Sequence, residues 1–142
     1  YFERQRRSKH LEPFQMLPGQ YLCAIDGVYH HTSDHIHCEK CLSRTHKNGT
    51  VTYHHAVLQG AFTHPDKKQV IPVMPEPIAN ADGARKQDCE INAAKRFIKH
   101  LKRDHPRLGI IVVGDGLFSK APMIDAVLRE KMNFLFVAKP PK

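Results

Sequence analysis

The amino-acid sequence predicts an α/β fold with a mixed sheet, and three observations lead to this prediction. Two short runs, at residues 21–25 and 110–113, are apolar throughout, which is typical of strands buried inside a sheet. Residues 85–105 carry apolar side chains at intervals of three and four, the spacing of a helix. The chain then continues as strand, helix and strand, which favours parallel strands joined by right-handed crossovers.

Three strands are predicted ahead of the long helix. The first covers residues 20–26, and the second covers residues 50–63, directly after a tight turn at residues 47–50. The third covers residues 69–74 and contains Pro72, which favours a place near a sheet edge because proline has no N–H to donate. These first strands are expected to pair as antiparallel hairpins.

The second half of the chain is predicted as helix, strand, helix and strand. The first helix covers residues 85–105, and the strand after it is centred on residues 110–113. The second helix runs from about Ser119, a good N-cap residue, to residue 131 and has Pro122 in its first turn. The last strand covers residues 133–138.

The length of 142 residues is enough for one domain with a core. Residues 1–19 are predicted to be a linker or N-terminal extension, and residues 20–142 the domain itself. No apolar run is long enough to cross a membrane, and the first residues are too charged for a signal peptide. The chain starts at Tyr1 and stops at Lys142, so it is expected to be a fragment of a longer protein.

The net charge of +8 indicates a polyanionic partner, with nucleic acid as the first choice. A solvated basic surface that serves solubility alone is the alternative. Four cysteines are present, and two of them, Cys23 and Cys89, lie in segments of buried character. This distribution is unlike a secreted disulfide framework and favours a reducing cytoplasm.

Asp26 and Asp115 are the candidate catalytic residues. Each follows an apolar strand directly and precedes a glycine, and ligands of open α/β sheets bind at that end of the strands. Two carboxylates on neighbouring parallel strands would repel each other unless a cation lay between them. Their hard oxygen atoms suit Mg²⁺ or Mn²⁺, and two such ions about 4 Å apart support phosphoryl transfer. A turn or helix-capping role is the alternative for either aspartate.

Three stretches of the chain resemble the DDE transposases of bacterial insertion sequences. They are AIDGVYHHTS, KQDCEINAAKRFIKHL, and VVGDGLFSKAPMIDAVL with the later FLFVAKP, and the resemblance extends from about Gln20 to the C-terminus. It implies an RNase H-like fold, a mixed five-stranded sheet in the order 3-2-1-4-5 with flanking helices. It also implies an Asp-Asp-Glu triad that binds two Mg²⁺ ions, cleaves transposon ends and joins the 3′-hydroxyl to target DNA.

Within this resemblance, Asp26 matches the first acidic residue and Asp115 the second, both as Mg²⁺ ligands. The third, a glutamate on a helix beyond the fifth strand, has no match before Lys142, so the catalytic core is expected to be truncated and inactive alone. Asp88 and Glu90 lie in the first helix, and the resemblance assigns neither to the triad. The implied partners are double-stranded DNA and, in the full-length protein, a second copy in a homodimer.

Cys38 and Cys41 form a CxxC pair with the spacing of zinc ligands. No second CxxC or paired histidines follow at the spacing of a zinc finger, which leaves the other ligands unspecified. The histidines around the pair are His30, His31, His35, His37, His46, His54 and His55. A zinc site is one interpretation, and a solvent-facing hairpin rich in histidine is the other.

Two rival functions stay open. The first is an RNase H-like nuclease or resolvase, which would share the acidic pair but release hydrolysed rather than joined strands. The second is a non-catalytic nucleic-acid-binding module with a structural zinc at Cys38 and Cys41. DNA binding without Mg²⁺, and separation of Asp26 from Asp115 by more than about 10 Å, would favour the second.

Overall fold

The computed structural model describes residues 9–80 and 87–138. Within them the fold is mixed α/β, with an open sheet of eight strands and two α-helices. The elements are β1 (Gln15–Leu17), β2 (Gln20–Ser33), β3 (Leu42–Thr45), β4 (Val51–Thr63), β5 (Ile71–Pro72), β6 (Glu76–Ile78), α1 (Glu90–Asp104), β7 (Gly109–Gly114), α2 (Ala121–Arg129) and β8 (Asn133–Phe136). The predicted α/β class is therefore confirmed.

The predicted order of the sheet is wrong in detail. The main path is β3-β4-β2-β7-β8, and β1, β5 and β6 pair with β2 or β4 outside this path. Residues 69–74 were predicted as one strand, but only Ile71–Pro72 pairs with β4 there. Pro72 has no N–H to donate to the hydrogen-bond ladder with β4. After Pro72 the chain leaves the sheet and pairs with β4 again as β6. The position beside β4 is thus shared by three short strands instead of one.

The central strands pair in the directions that the sequence predicted. Strands β2 and β4 are antiparallel from Leu22↔Thr63 to Ser33↔Tyr53, whereas β2 with β7 and β7 with β8 are parallel. Strands β2 and β4 run far past the last parallel pair, Ala24↔Val113. We call this extension, residues 27–33 of β2 and 51–57 of β4, the β-arm.

The core lies on one face of the sheet, beneath α1. Burial alternates along β2 and β4, and the inward residues of both strands meet the apolar side of α1. Gly60 makes this packing possible, because a side chain there would collide with the ring of Phe97 and with Val73. The largest fully buried side chains of the core are Phe62, Phe118, Leu11, Leu58, Ile98 and Ile110.

The segment before β2 packs onto the domain within the described residues. Leu11 and Phe14 belong to the core, and β1 pairs with β2. Residues 1–8 of the predicted N-terminal extension lie outside the described residues, as do residues 139–142 of the predicted domain.

The helix boundaries are narrower than the sequence predicted. Helix α1 begins at Glu90, and residues 85 and 86 of its predicted first turn lie outside the described residues. Helix α2 begins at Ala121 with Lys120 at the N-cap position, so the predicted cap at Ser119 is wrong, although Pro122 does lie in the first turn. The turn predicted at residues 47–50 is present, with Gly49 at a φ of 83°.

Candidate functional site

The pairing of β2 with β7 brings Asp26 and Asp115 to the same rim of the sheet. The parallel register runs to Ala24↔Val113, and two further residues on each strand lead to Asp26 and Asp115. Neighbouring strands lie about 4.8 Å apart, so the backbones of the two aspartates are close together. The two residues therefore lie at the same end of the parallel strand pair.

Asp26 is not at the end of its strand, which corrects the prediction. Strand β2 continues to Ser33, and Asp26 pairs with Gln59 in the antiparallel ladder. What ends near Asp26 is the parallel pairing with β7, because β7 stops at Gly114. Asp115 follows that strand end directly, as the sequence predicted.

Both aspartates are exposed and are held by backbone amides. One carboxylate oxygen of Asp26 accepts a hydrogen bond from the N–H of Gly27 at 2.8 Å. One carboxylate oxygen of Asp115 accepts from the N–H of Leu117 at 2.9 Å. These short-range bonds are the turn-type contacts that aspartates make near strand ends, and they leave the other carboxylate oxygens facing solvent.

Glu90, which the sequence analysis left outside the triad, is the third carboxylate at this rim. It is the first residue of α1, and its side chain covers Gly27, where an added Cβ would lie 2.5 Å from Glu90 Oε1. Desolvation by burial raises the pKa of Glu90, and the negative charges of Asp26 and Asp115 raise it further. The electrostatic field of both aspartates thus reaches Glu90.

The three carboxylates share a rim but do not form a compact cluster. Their oxygens are not all within 4.8 Å of one another, a condition that among the described residues only the Cys38, Cys41 and His55 group meets. Successive side chains along β2 point to opposite faces of the sheet. Because Gly27 is on the face that Glu90 covers, Asp26 is on the opposite face. The predicted pair of Mg²⁺ ions at Asp26 and Asp115 stays a prediction.

Asp88 has a different role from Glu90. Its carboxylate forms an ion pair with Arg96 at 2.7 Å, and Arg96 also pairs with Glu76 at 2.6 Å. Desolvation would raise the pKa of Asp88, but the hydrogen bonds and the charge of Arg96 outweigh it and lower that pKa. Arg96 thus joins α1 to β6 and to Asp88.

Cys38, Cys41 and His55 form a group that could hold a metal ion. The two sulfur atoms are 3.7 Å apart, and His55 Nε2 lies 3.4 Å from the sulfur of Cys38 and 3.3 Å from that of Cys41. The sequence analysis found the cysteines but did not choose His55 among the histidines around them. Pairing of β3 with β4, which places Leu42 opposite His54, brings Cys41 beside His55.

A cleft opens on the helix side of the same rim. Its volume is about 240 Å³, and its lining includes Tyr29, His54, Glu90 and Leu117. Desolvation lowers the pKa of His54, and the positive charges of Arg44 and His55 lower it further. His54 is therefore biased towards the neutral imidazole, and it lines this cleft opposite the start of α1.

No protein-family model, curated protein or solved structure matches the chain. Across residues 9–80 and 87–138, no helix is both long enough and apolar enough to cross a membrane. The features of the molecule that bear on function are therefore the carboxylates at the rim and the group of Cys38, Cys41 and His55.

Proposed function

We propose that this chain is the catalytic domain of a DDE-type transposase, which cuts and joins DNA strands with the help of Mg²⁺ or Mn²⁺. The observation that carries the proposal is the register of β2 and β7, which aligns Asp26 with Asp115 at the rim of the sheet. Glu90 supplies a third carboxylate within the electrostatic reach of both. We assign the metal-binding role to these three residues.

The chemistry of the rim fits a hard divalent cation. Asp26 and Asp115 both act electrostatically on Glu90, and none of these three carboxylates takes part in a salt bridge found among the described residues. Mg²⁺ keeps several of its waters and is held by one or two carboxylates together with substrate phosphates, so a compact protein cage is not required. Bound there, it would polarise a phosphoryl oxygen and lower the pKa of an attacking water or hydroxyl.

Backbone amides and overall charge of the protein favour metal and DNA binding at this rim. The amides of Gly27 and Leu117 orient the carboxylates of Asp26 and Asp115. The raised pKa of Glu90 means that a proton competes with a metal ion for its carboxylate more strongly than at an ordinary glutamate. The net charge of +8 favours the approach of a DNA backbone to the molecule.

The strand directions support the RNase H-like part of the proposal. Antiparallel β4 and β2 followed by parallel β7 and β8 corresponds to the 2-1-4-5 portion of the expected sheet. The remaining edge is divided among β3, β5 and β6. Glu90 precedes β7, whereas the resemblance places its glutamate after the last strand, so the resemblance does not account for Glu90.

Metal binding can be tested without DNA. Bound Mn²⁺ is paramagnetic, and we expect it to broaden the amide NMR signals of Gly27 and Leu117 first, because both amides contact the proposed ligands. Excess Mg²⁺ should restore these signals. Asp125→Asn on α2 is the matched control, since that carboxylate is exposed and lies outside the rim. Equal broadening in Asp26→Asn and in the wild type would contradict the assignment.

Strand cleavage tests the activity itself. In the full-length protein, Asp26→Asn and Asp115→Asn should each lower Mg²⁺-dependent DNA cleavage by at least about a hundredfold, because a catalytic metal contributes several kcal/mol. DNA binding measured in EDTA should persist in both variants. Products that contain joined strands support a transposase, and products of hydrolysis alone support the RNase H-like nuclease. Cleavage that survives either substitution refutes the site.

A second candidate function is a nucleic-acid-binding module with a structural zinc. The group of Cys38, Cys41 and His55 is the observation that favours it. DNA binding that requires zinc, with no Mg²⁺-dependent cleavage by the full-length protein, would select this function over the first.

A further inference from the structure

We propose that Cys38, Cys41 and His55 bind one Zn²⁺ ion, with His30 or His31 as the fourth ligand, and that this ion fastens the β-arm. The inference is independent of the proposed transposase activity, because it concerns other residues and another metal chemistry. Two thiolate sulfurs and an imidazole nitrogen are soft or borderline ligands that select Zn²⁺ over Mg²⁺.

The distances within the group are those of a tetrahedral zinc site. With Zn–S bonds of about 2.3 Å and a Zn–N bond of about 2.05 Å, tetrahedral angles place the sulfurs about 3.8 Å apart and each sulfur about 3.6 Å from the nitrogen. The observed separations are 3.7 Å between the sulfurs and 3.4 and 3.3 Å from them to His55 Nε2. All three edges therefore agree with a single ion at the centre.

Local structure holds the two cysteines in this arrangement. The N–H of Cys41 donates to the carbonyl oxygen of Cys38 at 3.1 Å, which closes a turn. The N–H of Cys38 donates to the sulfur of Cys41 at 3.3 Å, which orients that sulfur within the turn. Leu42, the next residue, pairs with His54 and so fastens the turn to β4 beside His55.

A β-bulge provides the fourth ligand. The β2–β4 register passes from Tyr29↔Ala56 to His31↔His55, so His30 is an extra residue on β2. Two consecutive histidines consequently lie beside His55, with ring centroids 5.8 Å away for His30 and 6.2 Å away for His31. Bulges redirect side chains in this way, and a side-chain rotation would bring either imidazole to the open position.

A zinc ion here would join three separate parts of the chain. Cys38 and Cys41 belong to the connection between β2 and β3, His55 to β4, and His30 or His31 to β2. The strands of the β-arm are already paired with each other, so a metal cross-link would add a tie between these strands and the connection that carries Cys38 and Cys41. Thiol–imidazole hydrogen bonds alone would give similar distances but would not retain a metal.

Metal content is the first test. The protein, purified without an affinity tag that binds metal and kept reduced, should contain about one zinc per chain by mass spectrometry, and Co²⁺ should give tetrahedral, thiolate-ligated absorption bands. Cys38→Ser and His55→Gln should each raise the zinc dissociation constant at least about tenfold. Cys89→Ser and His35→Gln are the matched controls and should leave it unchanged, since both residues are exposed and lie outside the group.

The fourth ligand has its own variants. His30→Ala or His31→Ala should weaken zinc binding, and whichever variant does so identifies the ligand. If neither affects the dissociation constant, the assignment of the fourth ligand is overturned while the other three residues stand. Wild-type protein that neither contains zinc nor takes it up from solution overturns the whole proposal, as does unchanged zinc binding by Cys38→Ser.

Thiol reactivity provides a measurement that does not depend on the folding of a variant. In the zinc-loaded protein, exposed Cys89 should react rapidly with a thiol reagent, whereas Cys38 and Cys41 should be protected. A chelator should increase the reaction rate of Cys38, which is exposed, at least about tenfold, whereas Cys41 is buried and stays slow while the domain is folded. Burial raises the pKa of Cys23 to about 12, so this thiol reacts only if the domain unfolds. Equal rates for Cys38 with and without the chelator refute the site.

Discussion

Replacing Glu90 with glutamine should stabilise the folded domain while removing a proposed metal ligand. Glu90 is half-buried, and its carboxylate lies in the field of two other carboxylates. Glutamine has nearly the same shape but no charge, so the substitution removes two like-charge interactions and the cost of keeping a charge partly out of water. The direction of the effect follows from the raised pKa of Glu90.

The magnitude can be worked from these contacts. Interactions between charges that remain in contact with solvent are worth about 0.2–1 kcal/mol each, so two of them give a gain of about 1 kcal/mol. For a domain of this size, that gain corresponds to a rise in melting temperature of about 2–6 °C. Salt at about 1 M should reduce the gain, because it screens charges beyond about 3 Å.

The pH dependence is the more specific part of the prediction. The folded pKa of Glu90 lies above its ordinary value of 4.5, so between those two pH values the folded state binds more protons than the unfolded state. The stability of the wild type therefore falls as the pH rises through that window, and Glu90→Gln does not share this loss. The stabilisation by Glu90→Gln should therefore be larger at pH 7.5 than near pH 4.

Thermal unfolding by circular dichroism at both pH values, in EDTA and low salt, measures the effect. Asp125→Asn is the control, since it removes an exposed carboxylate of α2 away from the rim. Mg²⁺ should then stabilise the wild type more than Glu90→Gln. A variant that is less stable than the wild type at pH 7.5, or one equally stabilised at both pH values, would refute the electrostatic reasoning.

Two further substitutions test the packing around the site. Gly60→Ala should destabilise the domain by about 1–3 kcal/mol in urea unfolding, because the new Cβ meets the Phe97 ring, and adding Phe97→Leu should recover part of that loss. If the double variant loses as much unfolding free energy as the two single variants together, the proposed contact between residue 60 and the Phe97 ring is contradicted. Arg96→Met should cost about 1–3 kcal/mol at pH 7, since it removes the guanidinium that pairs with Asp88 and Glu76 and leaves Glu76 with His100 alone. Because Arg96 lowers the pKa of Asp88, the cost should shrink as the pH falls through that pKa, and a cost that does not vary with pH would argue against the ion pair.

Much of the fold could be predicted from local patterns. The apolar runs at residues 21–25 and 110–113 lie in β2 and β7, which are neighbours in the sheet, and the apolar spacing of residues 91–101 marked the buried side of α1. These patterns succeed because each reports how one segment meets the core. The patterns failed at the edge of the sheet. The strand predicted at residues 69–74 pairs with β4 only at Ile71–Pro72, and β3 pairs with another part of the same edge of β4.

The residues of the candidate site were likewise predicted only in part. Asp26 and Asp115 were identified from their positions after apolar strands, and Cys38 and Cys41 from their spacing. Glu90 was missed, because an acidic residue at a helix start is already explained by the helix dipole. The signal that could have found it was Gly27, since a glycine beside a candidate catalytic aspartate leaves room for another side chain.

The sequence by itself determined the two helices and the four central strands, the direction of those strands and the identity of two acidic and two sulfur-bearing candidates. Only the tertiary structure decided that Glu90 covers Gly27, that Arg96 is held between Glu76 and Asp88, and that His55 meets the cysteines. The physical reason is how far apart along the chain the interacting residues are. Periodicity records what a residue's neighbours in the chain require, whereas these contacts depend on strand register and helix placement, which arise when distant segments pack together.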